Sequence, residues 1–149
     1  VESLPVVVAA LGSQMLKLTA ELADGTNTWM VGPKTMEEHI MPCFEASGNY
    51  SPEIVAGMPI VLTNNIDHAK ESIGKSLAVY GQLPSYRAML DREGAVGPAD
   101  IAMIGDENKL GGEIKRLESL GVTDFNAAIM DVEEGAYHRT LEFLGSLRP

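Results

Sequence analysis

The sequence has little cysteine and tryptophan, and it lacks any long hydrophobic run. Among its 149 residues there is one cysteine, Cys43, and one tryptophan. A single cysteine excludes an internal disulfide, and this usage of cysteine predicts a protein of the reducing cytoplasm. No stretch approaches the roughly 18 apolar residues of a membrane span. The sequence therefore predicts neither a disulfide-stapled fold nor a transmembrane segment.

Basic residues are also scarce. Eleven lysines and arginines stand against 21 aspartates and glutamates, which gives a formal net charge of −10. This balance argues against nucleic acid as the main partner and against binding to anionic membranes. The acidic residues occur in short pairs such as Glu37-Glu38 and Glu133-Glu134, and such pairs are typical of solvated surface.

Patterns typical of metal sites and of nucleophilic catalysis are absent. No spacing of histidine, cysteine or carboxylates indicates a metal site, and no Gly-x-Ser-x-Gly turn occurs. His39 and His68 fall inside predicted helices, on the side away from the strand ends, and His138 begins the last predicted helix. We expect all three to be surface or capping residues. Cys43 lies on the apolar stripe of a helix, which favours a buried structural thiol, so the sequence leaves the catalytic residues unknown.

What the sequence does contain is a buried-looking strand, residues 5–11, that breaks at Gly12 directly into a helix. A strand that is apolar on both faces is typical of a parallel sheet covered by helices. The start of the helix presents unpaired N–H groups and a positive dipole end, which suit phosphate. Gly12 can adopt a positive φ and lets a phosphate approach, and Ser13 adds a hydroxyl donor. The P-loop lysine is missing, so an ordinary strand-to-helix turn is the alternative interpretation.

The same strand-helix unit recurs along the chain. Its helices show apolar residues at helical spacing, as at Met15, Leu18 and Leu22 in the first of them. Asp106 is a predicted N-cap, and an extra short helix is predicted over 85–92. Alternation of this kind predicts right-handed βαβ units and a parallel sheet. The four predicted strands lie near residues 5–11, 26–31, 54–63 and 124–130.

The number of units bears on the architecture. A (β/α)₈ barrel needs about 250 residues, so four units in 149 residues are too few for a barrel and enough for half of one. The first residue is valine, and about four residues precede the first strand. We therefore expect residues 1–149 to be a single half-barrel unit and a fragment of a longer protein, with a doubly wound sheet as the alternative.

Several segments together resemble the C-terminal half of the luciferase-like flavin- or deazaflavin-dependent oxidoreductases. A further segment, 80–87, is similar to the branch of that family that uses coenzyme F420, a deazaflavin. Where the family commonly has proline after the glycine of the first motif, this chain has Ser13, and the helix start survives that change. The segments that carry the resemblance are 9–16, 21–25, 29–35 and 121–125.

The resemblance implies a TIM (β/α)₈ barrel whose strands five to eight are supplied by this chain. The cofactor of such a barrel lies across the C-terminal ends of the strands. In the family the loop after the fifth strand holds the cofactor phosphate, and the helix-terminus argument independently indicates the same loop. The residues implied for phosphate binding are Leu11, Gly12, Ser13 and Gln14.

The resemblance also implies a substrate side at the end of the next strand. Trp29, Met30, Gly32 and Lys34 would there face the ring of the cofactor. Trp29 has an alternative interpretation, since the only tryptophan on a strand can simply fill space between barrel and helices.

The function implied is hydride transfer between a reduced deazaflavin (F420) or FMN and a small organic substrate. The protein would orient the cofactor and exclude water. Residues for the other edge of the ring would lie on strands one to four, so we expect this chain alone to be inactive. Two alternatives remain: an FMN-dependent monooxygenase, and a non-catalytic half-barrel that pairs with itself or with a separate N-terminal half-barrel.

Overall fold

The computed structural model describes residues 4–147, and its centre is a sheet in which strands alternate with helices. Every strand pair of this sheet is parallel. This confirms the α/β fold class and the parallel arrangement predicted from the sequence. The strands are β1 (Val7–Ala9), β2 (Gly25–Trp29), β3 (Glu53–Leu62), β4 (Met103–Gly105) and β5 (Asp124–Ile129).

Four of these strands are the predicted ones, and they lie side by side in the order β1, β2, β3, β5. This is the order that successive strands have in a barrel. The remaining strand, β4, was not predicted. Ile60 of β3 pairs with both Ile129 and Met103, so β5 and β4 lie on opposite sides of β3. Since the pairing of β2 with β3 ends at Gly57, β4 extends the sheet beyond the end of β2.

The helices connect the strands and pack against the sheet. The second connection begins as a short helix, passes through a π-helical turn at Met36–Ile40 and continues as a further helix. Within residues 4–147 no helix is long and apolar enough to cross a membrane. The helices are α1 (Ser13–Leu22), α2 (Pro33–Thr35), α3 (Met41–Ser47), α4 (Ile66–Ser76), α5 (Pro84–Glu93), α6 (Glu107–Ser119) and α7 (Ala136–Ser146), and 3₁₀ turns lie at Ala78–Gly81 and Pro98–Asp100.

The two faces of the sheet differ in what covers them. On the helix-covered face, alternate residues of β3 are fully buried, and they form one core with residues of α1, α3 and α6. On the opposite face, Trp29, Gly57 and Asn126 share one row, and Asn27 and Asn126 are exposed. Because side chains alternate along a strand, this second face is the one that would line the inside of a barrel.

The apolar stripe predicted on the first helix does not join this core. Helix α1 buries Leu16 and Ala20 against the sheet, and its other side remains exposed. Met15, Leu18 and Leu22 are 45%, 48% and 77% exposed. Helix α1 stands at the edge of the sheet, so the element that would cover this stripe is not among the described residues.

Candidate functional site

The junction between β1 and α1 forms one end of the candidate site. Gly12 is the N-cap of α1 with φ −72° and ψ 146°, so its backbone is extended and does not use the positive φ that glycine permits. No side chain caps the helix, and its first turn contains no acidic residue. A Cβ added to Gly12 would meet nothing within 4 Å. The first N–H groups of α1 therefore face open space, which is the condition an anion needs at a helix start.

His39 contacts the backbone of this junction. The ring nitrogen Nε2 of His39 lies 2.9 Å from the carbonyl oxygen of Leu11, and His39 is only 8% exposed. The expectation of a surface histidine away from the strand ends is therefore wrong. His39 lies in the π-helical turn, where one extra residue per turn changes the direction of side chains relative to an α-helix. Cys43 is half-buried, and its thiol donates to the carbonyl oxygen of His39 at 3.2 Å.

A cleft of about 320 Å³ joins the β1–α1 junction to the end of β2. It brings together three of the predicted site residues, Leu11, Gly12 and Trp29. Asn27, on the inner face of the sheet, contributes an amide to the same cleft. The cleft is therefore lined both by predicted site residues and by polar residues that the sequence analysis did not predict to be part of the site. The full lining is Ala9, Ala10, Leu11, Gly12, Met15, Asn27, Thr28, Trp29, Ser85 and Tyr86.

Trp29 is held in the cleft by aromatic and backbone contacts. Its ring lies 6.0 Å from that of Tyr80 in an edge-on arrangement, and Tyr80 lies 5.0 Å from Tyr86 in the same way. Gly57 leaves room for it, since a Cβ there would come within 3.0 Å of the indole. The indole nitrogen of Trp29 is buried and has no hydrogen-bond partner among the described residues. Trp29 thus packs against its neighbours and also lines the cleft.

The other predicted residues lie elsewhere. Met30 is 1% exposed, with a φ of 56° that few non-glycine residues adopt, and it belongs to the core. Gly32 is buried against the carboxylate of Glu93, and the side chain of Lys34 is exposed. None of these three lines the cleft.

Ser13 and Gln14 occupy the first turn of α1 and are exposed. Ser13 also lines a separate groove between α1 and α3, which includes His39 and Cys43.

Ser85 and Tyr86 of α5 line the cleft but were not predicted to be site residues, although the segment 80–87 carried part of the family resemblance.

A second, polar cavity of about 610 Å³ lies at the C-terminal ends of β3 and β4. Glu133 joins its walls: its carboxylate accepts from the hydroxyl of Thr63 at 2.7 Å and pairs with Arg139 at 2.9 Å. Asp106 caps α6 as predicted, by accepting from the backbone N–H of Lys109 at 2.9 Å. The described residues contain no group of three histidine, cysteine or acidic side chains that could hold a metal ion.

Comparisons with known proteins place this geometry in context. No curated protein matches the chain significantly. Among solved structures, an F420-dependent secondary alcohol dehydrogenase in complex with an F420-acetone adduct is 18% identical, with a TM-score of 0.70. The match covers 99% of this chain and 50% of that chain. The coenzyme F420-dependent tetrahydromethanopterin reductase of Methanopyrus kandleri is also 18% identical, with a TM-score of 0.70, over 95% of this chain and 49% of that one.

A flavin enzyme shares the fold as well. The oxygenating constituent of 3,6-diketocamphane monooxygenase from Pseudomonas putida, solved in complex with FMN, is 10% identical with a TM-score of 0.51. That match covers 93% of this chain and 44% of that chain. The chain thus spans about half the length of the solved structures it matches, and it has the fold of half of a TIM barrel. The model of the luciferase-like monooxygenases matches residues 1–128, and the chain therefore belongs to this family.

Proposed function

We propose that this chain contributes the phosphate-binding half of a luciferase-like oxidoreductase. The whole enzyme would transfer a hydride between a reduced deazaflavin or flavin and a small organic substrate. The observation that carries this proposal is the cleft that joins the uncapped start of α1 to Trp29 and Tyr86. A phosphate-bearing aromatic cofactor needs such a pairing of an anion site with an aromatic wall.

The residues present fit such a group. The open space above Gly12 admits a phosphate to the N–H groups of Ser13 and Gln14, with the hydroxyl of Ser13 as a further donor. The positive end of the α1 dipole favours the negative charge. His39 contacts the carbonyl oxygen of Leu11 and would thereby keep in place the loop that we propose binds the phosphate.

Each partner in the reaction has a defined role. When bound, a reduced flavin or deazaflavin supplies the hydride, and the protein supplies binding, orientation and exclusion of water. Trp29 and Tyr86 form an apolar wall that excludes water, and Asn27 and Ser85 add polar contacts. Of the residues predicted for the substrate side, we retain Trp29, because Met30 and Gly32 are buried elsewhere and Lys34 is outside the cleft.

We further propose that this chain alone is inactive. Its cleft opens at β1, the edge strand of the sheet, so one wall must come from another half-barrel. That half would be an N-terminal half-barrel or another copy of the chain, acting on a small molecule in the cytoplasm. An FMN-dependent monooxygenase is the second candidate, and the likeness to an FMN-bound monooxygenase supports it.

A cofactor titration of the protein that contains both half-barrels tests the proposal. FMN and F420 are each titrated against the wild type, Gly12→Val and Ser13→Ala, with absorbance and fluorescence as the readouts. The fold should tolerate valine at position 12, because the backbone there is extended and a Cβ meets nothing within 4 Å, but the side chain would occupy the space proposed for the phosphate. We expect its affinity to fall about 10- to 100-fold, which corresponds to about 1–3 kcal/mol.

Ser13→Ala should weaken binding less, because a neutral hydrogen bond contributes only about 1 kcal/mol. Gly112→Val is the matched control, since a Cβ at this exposed position of α6 also meets nothing within 4 Å. Unchanged affinity in Gly12→Val, with the fold intact by circular dichroism, would remove this loop from the site. The titration also decides between flavin and deazaflavin.

A further inference from the structure

Tyr80 lies beside the cleft but is not part of its lining. It belongs to the 3₁₀ turn Ala78–Gly81, 51 positions beyond Trp29 along the chain. Its half-buried ring packs against the core and contacts the two aromatic rings that line the cleft, those of Trp29 and Tyr86. The aromatic wall of the cleft therefore depends on a side chain that is not itself in the wall.

The contacts of Tyr80 with the two rings are both edge-on. Its plane is inclined by 66° to the indole of Trp29 and by 82° to the ring of Tyr86, at centroid distances of 6.0 and 5.0 Å. Aromatic rings prefer this geometry to a face-to-face arrangement, because the positive edge of one ring meets the negative face of the other. Tyr80 thus holds the two rings of the wall in a defined relative position.

The sheet leaves room for the indole on another side. Trp29 and Gly57 are direct neighbours in the pairing of β2 with β3. A Cβ at Gly57 would lie 3.0 Å from the indole carbon Cε3 and 2.8 Å from the carbonyl oxygen of Thr28, and both distances are too short for undisturbed packing. Glycine at this position therefore lets the indole lie against the backbone of β3.

The residue after Trp29 adds a backbone constraint. Met30 has a φ of 56°, and its N–H donates to the carbonyl oxygen of Gly57 at 2.9 Å. A left-handed conformation is uncommon for a residue with a Cβ, it persists only where the surroundings enforce it, and such residues concentrate at functional sites. Since β2 ends at Trp29, this strained residue fixes the end of the strand that carries the indole.

Space filling alone does not account for these constraints. A buried indole N–H in a packed core usually has a hydrogen-bond partner, whereas that of Trp29 has none among the described residues. The same side chain lines the cleft. We propose that Tyr80 and Gly57 are positioning residues, which hold the indole of Trp29 in the place where the ring system of the cofactor packs against it. This inference rests on the proposed function.

The two ends of the cleft would then bind different parts of one molecule. The start of α1 offers N–H groups to a phosphate, whereas around Trp29 the described lining consists of apolar, aromatic and neutral polar residues, which suit a flat ring. Contacts between aromatic rings act on the ring of the ligand whether or not the ligand carries a phosphate. Variants of Tyr80 and variants of Gly12 should therefore affect different parts of the ligand.

The position of the indole can be measured without any cofactor. In the protein that contains both half-barrels, acrylamide quenching of Trp29 is obtained from the difference in fluorescence between each variant and the same variant with Trp29→Phe. Tyr80→Leu should raise the quenching constant about twofold, because the indole loses its edge-on neighbour and becomes more mobile. Tyr80→Phe keeps the ring and should restore the wild-type value. Tyr50→Leu removes a tyrosine that is 81% exposed and outside the cleft lining, and this control should change nothing.

Titration with ligands that have or lack a phosphate tests the role of this wall in binding. FMN is compared with riboflavin, and F420 with the same deazaflavin without its phosphate, by absorbance and fluorescence. Tyr80→Leu should weaken the phosphate-bearing and the phosphate-free ligand by the same factor, about 3- to 10-fold. Gly57→Ala displaces the indole from another side and should have the same effect, while Tyr80→Phe should retain most of the affinity. Gly12→Val should weaken the phosphate-bearing ligand far more than the phosphate-free one.

The outcomes separate this inference from the proposed function. If the wild type binds FMN or F420 but Tyr80→Leu and Gly57→Ala, both folded by circular dichroism, bind it equally well, the positioning role is wrong and the proposed function stands. Equal quenching of Trp29 in the wild type and in Tyr80→Leu would also overturn the inference. A wild type that binds neither FMN nor F420 would overturn the proposed function, and the ligand role of Trp29 with it.

Discussion

Two junctions in this molecule share one local design and have different surroundings. Both β1 and β2 are followed by a glycine N-cap, Gly12 and Gly32, that begins a helix with extended backbone. At Gly32 the carboxylate of Glu93 fills the helix start. It accepts from the N–H of Lys34 at 3.1 Å, and from the N–H and hydroxyl of Thr35 at 2.7 and 2.8 Å. At Gly12 no side chain performs this role.

The difference shows how one chain separates a structural helix start from a binding one. A helix start needs an acceptor for its unpaired N–H groups, and a carboxylate there also interacts favourably with the dipole. The second junction obtains its acceptor from α5, whereas the first leaves its groups for water or a ligand. Sequence pattern alone does not separate the two, because the difference lies in a residue 61 positions away from Gly32 along the chain.

The largest effect on the difference between the two junctions is expected from removing the carboxylate of Glu93 at the start of α2. Glu93→Ala should lower the free energy of unfolding by about 2–3 kcal/mol, because hydrogen bonds to a charged group are lost and donors of α2 are left without an acceptor. Urea unfolding followed by circular dichroism measures the change. The exposed Glu118→Ala on α6 should change stability by less than about 0.5 kcal/mol. Equal stability of the two variants would contradict a structural role for Glu93.

A second test compares the two glycines directly. An alanine Cβ at Gly32 would come within 2.3 Å of the Glu93 side chain, so Gly32→Ala should cost about 1–2 kcal/mol by displacing it. Gly12→Ala should change stability by less than about 0.5 kcal/mol, since its Cβ has open space. In a Glu93→Ala background the Gly32→Ala penalty should largely disappear. A penalty that persists there would show that the clash is with something other than Glu93.

A third variant acts on the first junction. His39→Leu leaves the carbonyl of Leu11 without its side-chain donor and should cost about 1 kcal/mol of stability, measured by thermal unfolding. His39→Gln keeps a donor and should lose less. His138→Leu, on the exposed side of α7, is the control. The interpretation fails if His39→Leu and His138→Leu unfold at the same temperature.

The smallest expected effect concerns Glu113 on α6. Burial raises the pKa of this carboxyl above its ordinary 4.5, and nearby Lys109 opposes the shift. A raised pKa means that the folded state holds the proton more tightly than the unfolded state, so this contribution to stability is present below pH 4.5 and is lost as pH rises through the raised value. The free energy of unfolding of Glu113→Gln, relative to that of the wild type, should therefore be higher at pH 7 than at pH 4. After solvent screening the difference should be about 0.3 kcal/mol.

Glu71→Gln serves as the opposite case. A hydrogen bond from Lys75 lowers the pKa of Glu71, so this carboxylate stabilises the fold above pH 4.5 and loses that contribution as pH falls. Its replacement should destabilise slightly at pH 7. Urea unfolding at pH 4 and pH 7 measures both variants, and shifts of the same sign would contradict the assignment.

The first three parallel strands could be predicted because each is a run rich in β-branched and apolar residues bounded by glycine, proline or asparagine. Strand β5 could be predicted from its apolar residues and from its place after Gly121, which ends the preceding helix. Strand β4 could not, because Met103–Gly105 is too short to show a period and pairs only with the far end of β3. The place of His39 was missed because the π-helical turn breaks the 3.6-residue period from which its direction was inferred.

The site shows a similar division. The phosphate loop is a prediction from the strand-glycine-helix pattern, and two of its four residues, Leu11 and Gly12, line one end of the cleft. The contributions of Asn27, Ser85 and Tyr86 depend on the start of α5 lying close to the end of β2, which no local pattern records. The apolar stripe of Met15, Leu18 and Leu22 on α1 was visible as a period, but a period does not say which of two faces of a helix meets the core.

Strand β3 has a consequence for how the molecule opens. It is ten residues long, it pairs with β2 and β4 along one side and with β5 along the other, and its central residues are buried. Its amide protons should therefore exchange with solvent only when the whole molecule unfolds, whereas those of the three-residue edge strand β1 should exchange through local fraying. The proposed phosphate loop directly follows β1, the strand whose amides we expect to be least protected from exchange. Binding at this loop would slow amide exchange most at β1 and least at β3. A ligand would therefore reduce the difference in exchange rate between these two strands.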